Sequence, residues 1–214
     1  MPEGPEVYIL AKALKGLGFE VESFGKHILI KDWNTGERFD ISFGLVGTIV
    51  LKNDMSIEKI IHPTIPSGDM KKIKTFQEAK SNLGIDWMTA SKEEFKYVIE
   101  SWGKRKKQIG ALLLDQHEIS GIGVAWASEI LYDCKISPYT KANLFDCLQL
   151  NERFLNSLVN IRDKIKKQYN DFLGKNKSKD FVNSWFQNLY KIRDMKVYKK
   201  GTEIQVSGRT FYTN

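Results

Sequence analysis

The chain opens Met1-Pro2-Glu3-Gly4-Pro5-Glu6, and loss of Met1 would leave Pro2 as a free secondary amine beside a carboxylate. A terminal amine titrates near roughly 8, so an appreciable fraction is unprotonated at neutral pH. Such an amine attacks an electrophilic sugar carbon and yields an iminium intermediate. Glu3 stands next to it as a proton donor and acceptor. The same six residues also read as a plain helix start, because proline is tolerated in a first turn and early glutamates suit the positive end of the helix dipole. Which reading applies depends on what the rest of the chain brings to this end.

The whole chain is basic: 33 Lys+Arg stand against 26 Asp+Glu in 214 residues, a formal net charge of +7. That balance favours a polyanionic partner, with nucleic acid foremost. The length suffices for a substantial core and suggests two small domains. Cys134 and Cys147 cannot build a disulfide framework, and His27, His62 and His117 lack metal-ligand spacing. All five are read as structural or exposed. No apolar run approaches the roughly 20 residues of a membrane span, and the N-terminus lacks a signal-peptide core. The expectation is an intracellular protein without membrane contact, in the cytoplasm or nucleoid of a bacterium or the nucleus of a eukaryote.

The elements that would position the N-terminal pair follow in order. Val7, Leu10, Ala11 and Leu14 recur at helical spacing, with Gly16-Leu17-Gly18 as a stop. Short β-rich runs then occupy 19–24, 27–30 and 47–51, separated by turns such as Asn34-Thr35-Gly36, and predict a small antiparallel sheet. Residues 53–88 read as loop plus a helix or irregular strand. From Ser91 the period is helical, with Phe95, Val98, Ile99 and Trp102 on one face. Further helices are predicted at 106–116, 125–133, 151–172 and 178–190, the first two broken by Ser120-Gly121-Ile122-Gly123. Residues 197–212 alternate around Lys199-Lys200-Gly201 and Ser207-Gly208, which predicts a hairpin.

In this order the motifs resemble the formamidopyrimidine-DNA glycosylase/endonuclease VIII (Fpg/Nei) family over most of the chain. Met1-Pro2-Glu3-Gly4-Pro5-Glu6-Val7 is similar to the family's catalytic N-terminus, with Gly4 nearer the endonuclease VIII branch. Phe24-Gly25-Lys26-His27-Ile28-Leu29-Ile30 resembles the strand bearing its catalytic lysine, here Lys26. Phe43-Gly44-Leu45-Val46-Gly47 resembles the loop whose apolar residue, here Leu45, wedges into the gap left by an extruded nucleotide. Asp69-Met70-Lys71-Lys72-Ile73 is placed against the family's Asp-Pro-Arg-Arg-Phe loop, with Lys72 and Ile73 at the other gap-filling positions. The stretch 105–138, with Gly121-Ile122-Gly123 and Ala127-Ser128-Glu129-Ile130-Leu131, resembles the helix-two-turn-helix DNA-binding module. There the amides of Gly121 and Gly123 would approach phosphate oxygens. Ser207-Gly208-Arg209-Thr210-Phe211-Tyr212 resembles the tip of the C-terminal finger, with Arg209 as the phosphate clamp.

Three departures accompany the resemblance. Val124 stands where the family has an asparagine, the C-terminal segment contains no cysteine and so matches the zincless form of the finger, and Lys26 follows the first helix closely where relatives have further strands. The implied fold class is α+β: a small N-terminal antiparallel β-sandwich with an N-terminal helix (1–88), a helical helix-two-turn-helix domain (89–192) and a zincless β-hairpin finger (193–214). The implied function is bifunctional: a DNA glycosylase and abasic-site lyase of base excision repair, acting by β,δ-elimination on double-stranded DNA that carries damaged bases or abasic sites. It implies a monomer with no metal or nucleotide cofactor, and Pro2, Glu3, Lys26 and Arg209 as its catalytic set. The alternative is a non-catalytic or differently specialised damaged-DNA-binding protein of the same fold.

Overall fold

A computed structural model describes residues 2–44, 47–60, 64, 68–145, 150–175, 178–192 and 194–213, without the side chains of 175, 186, 187 and 190–192. The chain divides into two compact units, Met1–Leu83 with Lys166–Arg193, and Gly84–Ile165 with Asp194–Asn214.

In the first unit, helix α1 (Gly4–Gly16) starts from an extended Glu3 as N-cap and carries Pro5 in its first turn. Leu17 and Gly18 end it, their amides donating to carbonyls of the last turn. The sequence shows a single apolar stripe, whereas Val7, Ile9, Leu10, Ala11, Ala13 and Leu14 are all buried. The reason is that α1 packs on strands β1 (Val21–Phe24) and β2 (His27–Lys31) and also on helix α7 (Lys179–Ile192). These strands join β3 (Arg38–Ser42) and β6 (Met70–Ile73) in an antiparallel sheet of order β1-β2-β3-β6. In β2 Ile28, Leu29 and Ile30 are all buried, so this strand is covered on both faces.

Strands β4 (Thr48–Leu51) and β5 (Ile57–Ile60) form a separate antiparallel pair. Helix α7 holds β4 through polar side chains: Asn183 Oδ1 accepts from the Leu51 amide at 2.8 Å, and Trp185 Nε1 donates to Thr48 Oγ1 at 3.1 Å. A short helix α2 (Phe76–Lys80), capped by Thr75, follows β6.

The second unit begins with β7 (Ile85–Asp86), which pairs in parallel with β8 (Ile119–Ser120). Helix α3 (Lys92–Trp102) opens on a reciprocal capping box between Ser91 and Glu94 and buries Phe95, Ile99 and Trp102. The predicted helix at 106–116 is shorter than expected: α4 spans Ile109–Leu113, and the basic residues before it lie outside any helix. Helix α5 (Val124–Asp133) follows the glycine-rich turn. The long helix α6 (Leu150–Lys175) contains the division between the units, and strands β9 (Thr202–Val206) and β10 (Arg209–Thr213) form the C-terminal hairpin.

The units are not consecutive along the chain, unlike the 1–88, 89–192 and 193–214 division expected from sequence. Helix α7 joins the N-terminal elements because its apolar face meets α1 and β4. The hairpin joins the helical unit because Phe211 is fully buried there. No described helix is long and apolar enough to cross a membrane.

Candidate active site and nucleic-acid interface

Pro2 and Glu3 lie at the start of α1, and both are buried. The Glu3 amide donates to Glu6 Oε2 at 2.8 Å, while the Glu3 side chain accepts from the Glu6 amide, completing a capping box. Helix start and chemistry are therefore compatible: the cap that begins α1 also fixes the carboxylate beside Pro2. Glu6 is fully buried, and its Oε1 accepts from the Tyr169 hydroxyl at 2.9 Å. Glu6 stood inside the recognised motif without a role. Its partner lies 163 residues away, and no local signal in the sequence marks Tyr169.

Lys26 occupies the two-residue turn between β1 and β2 and is half-buried. Gly25, with φ of 58°, takes the left-handed position that this tight turn requires. Because α1 packs on β1 and β2, the helix bearing Pro2-Glu3 and the hairpin bearing Lys26 are neighbours in one unit. Leu45 lies outside the described residues. Its flank is held by Phe43, which is buried with its ring 5.3 Å from that of Trp185.

Lys72 and Ile73 are a correction to the loop expected for them. Both belong to strand β6, where Lys72 pairs with Phe39 and Ile73 with Arg38 across the ladder. The apolar-basic-basic-apolar run Met70–Ile73 forms an edge strand of the sheet. The Lys72 ammonium forms an exposed ion pair with Glu37.

In the second unit Gly121 and Gly123 are close together, as the sequence implies, but with different duties. The Gly121 amide donates to Gln116 Oε1 at 2.9 Å, and Gln116 Nε2 donates to the carbonyls of Leu114 at 3.0 Å and Ile122 at 2.9 Å. The glutamine thus ties the turn from within and occupies the Gly121 amide expected to meet phosphate. Gly123 is the extended N-cap of α5 and leads into a helix N-terminus, which carries a partial positive charge.

Arg209 follows the hairpin turn Ser207-Gly208, whose two positive φ values, 50° and 74°, are those of a type I′ turn. It is exposed and makes no ion pair among the described residues. The hairpin is anchored by groups that sequence reasoning passed over. Glu129, 6% exposed, accepts from the amides of Lys196 at 2.8 Å, Val197 at 2.8 Å and Tyr198 at 2.9 Å, all just before the hairpin. Ser128 Oγ accepts from the Tyr212 amide at 3.1 Å, and the Tyr139 hydroxyl donates to the Gln205 carbonyl at 2.7 Å. Phe211 packs against Gly110, where an added Cβ would lie 2.9 Å from its ring. Cys134 is no nucleophile, because burial pushes its thiol up to about 12.

Residues 83–167 match the formamidopyrimidine-DNA glycosylase H2TH domain. Among curated proteins, the formamidopyrimidine-DNA glycosylase of Prochlorococcus marinus is 39% identical over 70 residues, covering 33% of this chain and 21% of its own length. That of Lactiplantibacillus plantarum is 49% identical over 47 residues, covering 22% and 17% respectively. These matches span about a fifth of those relatives. The solved structure of the MutM (Fpg) protein of Thermus thermophilus superposes with a TM-score of 0.72 at 17% identity, covering 100% of this chain and 97% of that one. A Lactococcus lactis Fpg in complex with N7-benzyl-Fapy-dG DNA gives 0.72 at 19% identity, covering 100% and 98%. At such identities the structural likeness is one of fold, and the H2TH match is confined to residues 83–167. The chain thus carries an H2TH domain within the fold of these solved structures. Within the chain, Pro2, Glu3 and Lys26 fall in one compact unit, and Gly121, Gly123 and Arg209 in the other.

Proposed function

We propose that this chain is a member of the Fpg/Nei family and a DNA glycosylase of base excision repair with abasic-site lyase activity, acting on double-stranded DNA with damaged bases or abasic sites. The observation that carries the reading is the Pro2-Glu3 pair, held by its capping box at the start of α1, in a chain that also holds the H2TH domain. With Met1 removed, the Pro2 nitrogen lone pair forms a bond to C1′ of an extruded nucleotide. The glycosidic bond breaks, its electron pair leaves with the base, and a proton reaches the base. Glu3 serves the proton transfers that open the sugar to the iminium. The iminium acidifies the C2′ proton; its loss expels the 3′ phosphate, and a second elimination expels the 5′ phosphate. Lys26 and Arg209 balance charge on the flanking phosphates, and Leu45 fills the vacated stack.

Borohydride trapping on abasic-site DNA tests this. A covalent adduct is expected, Pro2→Gly should abolish most of it, and Glu3→Gln should suppress base excision more than cleavage of a ready-made abasic site. Full trapping by a form that retains Met1 would overturn the terminal-amine mechanism. A second reading, a damaged-DNA-binding protein without catalysis, is favoured by Val124 in place of the family's asparagine and by the occupied Gly121 amide. It requires salt-dependent DNA binding with no trapped adduct.

A further inference from the structure

Between α3 and α4 the chain carries four consecutive cations, Lys104-Arg105-Lys106-Lys107, all exposed. The segment is strapped down by its backbone. The Arg105 carbonyl accepts from the Asn143 amide at 3.0 Å, the Lys107 carbonyl accepts from the Ala142 amide at 3.0 Å, and Gln108 forms an antiparallel bridge with Lys141.

The four side chains divide by alternation. Arg105 pairs with Glu118, and Lys107 pairs with Asp115 at 3.1 Å, so the odd-numbered cations are compensated by acids beyond α4. Lys104 and Lys106 make no ion pair among the described residues, and neither does Lys141. The Gln108–Lys141 bridge sets these two directly opposed residues on one side, with Lys106 two positions before Gln108 in the same strapped segment. That side is marked by a contact: Ser207 Oγ donates to Gln108 Oε1 at 3.2 Å. Ser207 belongs to the hairpin turn that presents Arg209. The uncompensated lysines and the finger arginine are thereby grouped in one compact unit.

We infer that Lys104, Lys106 and Lys141 form a second phosphate-binding track on the DNA backbone, continuing from the phosphate held by Arg209. The partner is duplex DNA, recognised through its phosphates without regard to sequence. The inference rests on the DNA-binding function proposed above. Strapping matters because a cation already held near its final position loses less freedom on binding than one on a loose loop. Arg105 and Lys107 neutralise Glu118 and Asp115, so the remaining lysines leave the segment with net positive charge.

The test is the salt dependence of equilibrium binding to a duplex carrying a stable abasic-site analogue. Each phosphate contact contributes about 0.9 to the slope of log K against log salt. The variant Lys104→Ala/Lys106→Ala/Lys141→Ala should lower that slope by about 2 to 3. Control variant Lys15→Ala/Lys92→Ala/Lys96→Ala removes the same net charge from exposed positions elsewhere and should change the slope by less than one. An unaltered slope in the first variant, or an equal fall in both, overturns the track. Absence of salt-dependent binding in the unmodified protein would instead overturn the proposed function. Circular dichroism and thermal unfolding of each variant confirm that a lost slope is not lost fold.

Discussion

A buried carboxylate needs its lone pairs filled, and Glu6 meets this through the Glu3 amide and the Tyr169 hydroxyl. Removing the phenol oxygen takes one hydrogen bond away from a buried carboxylate, which costs about 1–3 kcal/mol. Tyr169→Phe should therefore lower unfolding stability in urea by about that amount. The substitution should also loosen the capping box that fixes Glu3, reducing excision without removing any atom of the proposed catalytic set. Arg209 and Leu45 separate by charge. Arg209→Ala should reduce the salt slope of DNA binding by about one contact, whereas Leu45→Ala should leave it unchanged. The Leu45 defect in single-turnover excision should be smaller for a mispaired or abasic site, which costs less to unstack, than for a lesion still paired. Equal defects on both substrates would make Leu45 ordinary core.

At the scale of elements, the C-terminal hairpin relies on Glu129, which gathers three successive amides ahead of β9. A glutamine there keeps one acceptor oxygen and turns an amide group toward backbone donors, so Glu129→Gln should cost about 2–3 kcal/mol. Hydrogen exchange in β9 and β10 should rise first, ahead of exchange in α1 or β2. These anchors are protein groups, so exhaustive chelation should leave the hairpin, DNA binding and cleavage intact; loss on chelation with recovery on adding zinc would refute that. Gly110→Ala should destabilise the same junction by about 1–3 kcal/mol through overpacking, since its Cβ would meet Phe211 at 2.9 Å and Pro138 at 3.0 Å.

For the whole molecule, acid is the informative variable. Burial opposes ionisation of Asp32, but hydrogen bonds from Thr35 and Asn34 outweigh it and hold the carboxyl below its ordinary value of 3.8. Asp115 behaves alike: burial opposes, and the Lys107 hydrogen bond and the His117 amide prevail. A carboxyl with a lowered folded pKa stabilises the fold above the unfolded value and loses that contribution as pH falls through the folded one. Stability should thus hold from neutrality down to about pH 4 and then decline below it, measured by urea midpoints across pH. A decline beginning near pH 6 would point to histidine instead.

Local chemistry made much of this protein legible before any tertiary structure. The Pro2-Glu3 start, the β1–β2 turn carrying Lys26, the Gly121-Ile122-Gly123 break and the Ser207-Gly208 turn are all specified by residues a few positions apart, because caps and tight turns close over short chain lengths. What depends on distant partners was not legible. Strand β6 fell in a stretch that read as loop plus a helix or irregular strand because its partners on β3 lie 29 to 35 positions away along the chain. Tyr169, Glu129 and Gln116 read as ordinary helix or turn residues, and their duties arise only where folding brings buried acceptors and donors together. The assignment of α7 to the N-terminal unit and of the hairpin to the helical one has the same origin. Burial of an apolar face is nondirectional, and only the assembled surfaces decide which face it meets.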